Sequence, residues 1–75
     1  MQPQISSPTT TIRRYSLAVE ADNRRQAALN EWKAAAEAML TVRNAQTEQR
    51  LIEAAAAFKQ ANNEYHAVVK KVFPQ

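Results

Sequence analysis

Residues Leu51–Val72 read LIEAAAAFKQANNEYHAVVKKV. Within that stretch Leu51, Ala55, Phe58, Asn62, Tyr65, Val69 and Val72 step by 4, 3, 4, 3, 4 and 3. Alternating steps of three and four return side chains to one helix face, whereas a strand would repeat every second residue. The stretch therefore predicts an amphipathic helix, expected over about residues 47–73. Asn62 is the one strongly polar member of this seam, and a lone Asn at such a position commonly fixes register or oligomer state. Ile52, Val68 and Phe73 sit beside the seam and widen its apolar stripe.

Upstream, Tyr15, Ala18, Asp22, Arg25, Leu29, Trp32, Ala36 and Met39 repeat the same spacing. This second seam is apolar at both ends and polar across Asp22–Gln26 (DNRRQ). Nothing in DNRRQ breaks a helix, so the spacing predicts one helix over about residues 9–42, roughly 50 Å long at 1.5 Å per residue. A kink near Asp22–Asn23 is the competing expectation.

The turn falls between Thr41 and Thr47. Asn44 suits a left-handed helix C-terminus there, and Thr47 suits the cap of the next helix. Folding back at this point pairs positions whose numbers sum to about 90. Trp32 then meets Phe58, Met39 meets Leu51, Leu29 meets Asn62 and Arg25 meets Tyr65. Ala18 and Tyr15 meet Val72 and Phe73. The expected hairpin core is Leu29, Trp32, Met39, Leu51, Phe58, Tyr65, Val69 and Val72. Because the turn holds neither glycine nor proline, one uninterrupted helix is the alternative.

Composition agrees with an all-α antiparallel hairpin. The 75 residues include no glycine, and the prolines stand at positions 3, 8 and 74. Tight hairpin turns and glycine-dependent phosphate loops are disfavoured as a result. Residues 1–8 read as a flexible tail and residues 9–75 as the helical domain, with either Ser7 as cap and Pro8 at the first helical position, or one of Thr9 to Thr11 as an equally good cap. Fifteen of the 34 apolar residues are alanine. A chain this short buries only about 60% of its unfolded surface and needs reinforcement. Having no cysteine, it has no disulfide or thiolate–metal staple. Two hairpins dimerising into a four-helix bundle would supply the missing contacts, with Leu17, Val19, Leu40, Ile52 and Val68 as candidates for that second interface.

Catalytic chemistry finds little footing. The lone histidine, His66, has Asn63 where a helical carboxylate–histidine metal pair needs Glu, and HExxH is absent. The seven acidic residues are scattered as on a solvated helix face, Glu20 and Arg24 forming one favourable i,i+4 pair. No enzyme activity, metal or cofactor is expected. No apolar run exceeds five residues and no signal segment is visible, so neither a membrane span nor export is expected. The cysteine-free composition fits a cytoplasmic setting.

The net charge is +3. Antiparallel pairing gathers Arg13, Arg14, Lys70 and Lys71 at the open end, with Arg24 and Arg25 nearer the middle. The lysines suit the negative end of a helix, while Arg13 and Arg14 lie near a positive end, which hints at an acidic partner. Tyr15, Ile12 and Phe73 add an apolar contact at that same end. The expected function is a small non-enzymatic protein that binds and modulates or blocks another protein, as an inhibitor or adaptor. Its partner-binding residues would be Ile12, Arg13, Arg14, Tyr15, Arg24, Arg25, Lys70, Lys71 and Phe73. The alternatives are a nucleic-acid-binding hairpin dimer using the six basic residues of that set, and a secretion-type co-chaperone or structural subunit. No stretch carries a family motif. The hairpin shape is common to type III secretion co-chaperones, plasmid RNA-binding dimers and phage-encoded inhibitors, so shape alone transfers no residue roles.

Overall fold

A computed structural model describes residues 8–73, and the side chains of residues 12–73. Two helices make up the fold, α1 (Pro8–Thr41) and α2 (Ala45–Val72), packed against each other as a hairpin. Pro8 opens α1, as its fixed φ favours. The expected cap Ser7 and the rest of the N-terminal tail lie outside the described residues. α1 runs without a break through DNRRQ, and the turn after Thr41 separates it from α2, so the single uninterrupted helix is not realised.

The turn contains only Val42, Arg43 and Asn44. Here the structure reverses two expected roles. Asn44 is extended (φ −149°, ψ −179°) and caps α2 itself. Its Oδ1 accepts from the Thr47 N–H at 2.9 Å, and Thr47 Oγ1 accepts from the Asn44 N–H at 2.9 Å. This reciprocal capping box satisfies two amides that would otherwise lack partners at the start of α2. Thr47 is thus the third residue of the helix rather than its cap. Glu48 in the first turn and Lys70 and Lys71 in the last complement the α2 dipole, whereas α1 has no such charges at either end.

The register follows the expected pairing. Trp32 stacks on Phe58 with ring centroids 5.5 Å apart, the Arg25 guanidinium sits 4.8 Å over the Tyr65 ring, and Tyr15 meets Phe73 at 5.4 Å. The seam, however, is turned from the expected one. Its most buried members are Ala21 (1% exposed), Ala35 (0%), Ala54 (4%) and Ala61 (8%). Ala28 continues the α1 line at the same seven-residue interval and is half-buried, while Ala55, expected in the seam, is exposed. Alanine at this interval lets two helices approach closely, because no side chain beyond Cβ separates the backbones. The larger residues Arg25, Met39, Leu51, Phe58, Tyr65, Val69 and Val72 flank this line and are half-buried, as are Leu29 and Val68. Trp32 is 39% exposed. No residue larger than alanine is buried among those described. Four methyl groups at about 0.8 kcal/mol per buried carbon contribute only a few kcal/mol, so the flanking clasps must carry much of the stability.

Candidate interaction face

Seven-residue spacing sorts the remaining side chains onto two broad faces of the hairpin. On one face α1 presents the stripe Ile12, Val19, Gln26, Lys33 and Leu40, and α2 presents Ile52, Lys59, His66 and Phe73. Two recesses place both helices on this side. Near the open end, Tyr15, Val19 and Asp22 of α1 share a hollow of about 290 Å³ with Tyr65, Val69 and Phe73 of α2. Near the turn, Ala36, Met39, Leu40 and Arg43 line another of about 280 Å³ with Leu51. Six of the nine exposed large apolar residues belong to this face: Ile12, Tyr15, Val19, Leu40, Ile52 and Phe73. Leu40 protrudes most, at 88% exposed.

The opposite face is closed by charge. Arg50 donates from Nε to Glu31 Oε2 at 2.8 Å and from Nη2 to Oε1 at 3.0 Å, joining the two helices with a two-pronged pair. The Arg50 hydrogen bond, reinforced by its charge, outweighs burial and holds the Glu31 carboxyl below its ordinary value, while Arg50 is raised by the same bond. Leu17 and Arg24 lie on this side, at the same seven-residue spacing as Glu31. Of the five residues expected to form the second interface, Val19, Leu40 and Ile52 therefore share one face, Leu17 lies on the other, and Val68 sits within the seam.

Arg25 is held in place. Its guanidinium donates to Asp22, with Nε to Oδ1 at 3.1 Å, while lying over Tyr65. Cation–aromatic and ion-pair contacts together keep this charge half-buried between the helices. Arg13, Arg14, Arg24, Lys70 and Lys71 are exposed. The nine residues expected to bind a partner thus divide, with Ile12, Tyr15 and Phe73 on the apolar face, Arg25 in the seam, and the remaining basic side chains elsewhere on the rod. The expected Glu20–Arg24 ion pair does not form; Asp22–Arg25, Glu48–Arg43 and Glu31–Arg50 are the pairs among the described residues. His66 is exposed, with its ring edge-on to Tyr65 at 5.6 Å.

Among the described residues no three His, Cys, Asp or Glu side chains stand close enough to hold a metal ion. Among the described residues no helix is long and apolar enough to cross a membrane. Comparison with protein families, curated proteins and solved structures gives no match for this chain.

The one-sidedness of the apolar residues was missed in the sequence because the stripes sit two positions away from the seam. Counting Ile12, Val19 and Leu40 at intervals of seven and twenty-one would have found it.

Proposed function

We propose that this chain is a non-enzymatic binding module that acts by occupancy, its apolar face covering a working surface of another protein. The observation that supports this reading is the gathering of Ile12, Tyr15, Val19, Leu40, Ile52 and Phe73 on one side of a hairpin whose described residues bury nothing larger than alanine. An exposed apolar face of this extent on a small protein marks an interaction site. Inhibitor and adaptor are the modes of action such a face serves, in the cytoplasmic setting that the cysteine-free composition favours.

The test is capture from host lysate by the tagged full chain, with and without nuclease. A protein partner should be retained under both conditions and lost on Tyr15→Ala with Phe73→Ala, with helicity unchanged by circular dichroism. Leu17→Ala, on the opposite face, should leave capture intact. Capture that vanishes with nuclease, or with rising salt alone, would replace this reading with a nucleic-acid one.

A further inference from the structure

We infer that the apolar face is covered by a second copy of this chain, laid antiparallel so that α1 lies on α1, α2 lies on α2, and each turn end meets the other copy's open end. This rests on the reading above and adds a resting form to it: the face that would dock on another protein is closed by a second copy when that protein is absent, and the two compete for it. The size of the face is adequate. From Ile12 to Leu40 it runs about 42 Å at 1.5 Å per residue, and two helices about 10 Å across give a footprint of about 840 Å². A stable interface buries about 800 Å² on each partner.

The shape is self-complementary. Ile12 and Leu40 lie on one stripe, with Gln26 midway between them. Leu40 is a knob at one end. At the other end Ile12, Tyr15 and Val19, together with Ser16 and Glu20, line a recess of about 410 Å³. A two-fold axis crossing the rod at Gln26 sets each Leu40 over the other copy's recess and brings Ile52 near the level of Phe73. A two-fold interface requires this match of one patch to itself.

Charge selects between the two possible axes. Lys33 and Lys59 are exposed on this face at nearly the same level of the hairpin. An axis along the rod would bring Lys33 of one copy beside Lys59 of the second, twice over. The crossing axis separates them and places each Lys33 within a turn of the second copy's Asp22, an attractive pair.

The chain contains no cysteine, so engineered thiols report proximity cleanly. Gln26→Cys should oxidise to a disulfide-linked dimer. Mixed Leu40→Cys and Ile12→Cys chains should cross-link, and Leu40→Cys alone should not. Cross-linking of Leu40→Cys with Ile52→Cys in place of these would overturn the crossing axis. Sedimentation equilibrium of the unaltered chain should give twice 8.4 kDa. A single-chain mass up to about 100 µM would overturn the dimer altogether. Leu40→Asp should raise the dimer dissociation constant at least about a hundredfold, and Leu17→Asp no more than about threefold. A monomer that still captures a host protein, and loses it on Leu40→Asp, would exclude the second copy while leaving the docking face standing.

Discussion

The half of the hairpin beside the turn and the half beside the termini share one alanine seam but close it by different means. Near the turn, Ala35 and Ala54 are sealed by the Trp32–Phe58 stack, whose rings lie 17° from parallel, and by the Glu31–Arg50 clasp. Three loop residues and a capping box then fix the helix ends. Toward the termini, Ala21 and Ala61 are flanked by Asp22, Arg25 and Tyr65, and the last aromatic contact, Tyr15 against Phe73, is tilted by 50° and open to solvent. A charge placed half-buried in a seam must be matched by its own ion pair and ring, and that matching yields little net stability. The difference teaches that the same alanine seam is held in one half by stacked rings and an interhelical clasp, and in the other by a charge matched in place.

Four measurements would break or sharpen this contrast. The largest effect is expected from Trp32→Ala, which should lower unfolding free energy by roughly 2–3 kcal/mol in urea titration, below the 3–5 of a fully buried aromatic because the ring is partly exposed. Tyr15→Ala should cost less than about 1 kcal/mol, and equal losses would erase the distinction between the halves. Next, Ala35→Leu should push the helices apart at a cost of about 1–3 kcal/mol. Ala61→Leu, in the looser half, should cost less than half as much by the same titration. Third, Asn44→Ala removes one side of the capping box and should cost about 1 kcal/mol, read as a lower melting temperature, with Asn44→Gly costing only a few tenths.

The smallest effect is expected at the surface clasp. Glu31 is held below its ordinary pKa in the folded state, so its ion pair adds stability above the unfolded carboxylate range and loses it as pH falls through the folded value. Glu31→Gln should therefore lower the melting temperature slightly at pH 7 and by less near pH 3. An equal drop at both pH values would show that the residue acts by packing rather than by charge.

The register of the hairpin was legible in the sequence because its largest side chains mark it. Trp32, Phe58, Tyr65 and Tyr15 carry enough surface to dominate any count of apolar spacing, and their partners were found where the fold-back placed them. The rotation of the seam was hidden by the same weighting. Alanine adds little to an apolar stripe, yet a close helix contact selects it for being small, so Ala21, Ala35, Ala54 and Ala61 hold the centre while bulkier neighbours stand beside it. The turn was located but its chemistry was not. Asn suits both a left-handed helix end and an N-cap, and only the Thr47 side chain reaching back to the Asn44 amide decides between them. The candidate face was partly legible, through Val19, Leu40 and Ile52, but Leu17 and Val68 belong to other surfaces.

Because the cross-helix contacts pair positions on either side of one short loop, they are nested, each enclosed by the next. Such a chain can assemble as a zipper, beginning with the Asn44–Thr47 box and advancing through Trp32 and Phe58 before the Arg25 layer and the terminal rings engage. Each added contact then closes a loop only slightly longer than the one before, which keeps the entropy cost of every step small and folding fast. The same nesting means that trimming both ends together would shorten the rod one rung at a time and leave the inner rungs joined. Cutting within Val42–Asn44 would instead free the two helices from each other at once.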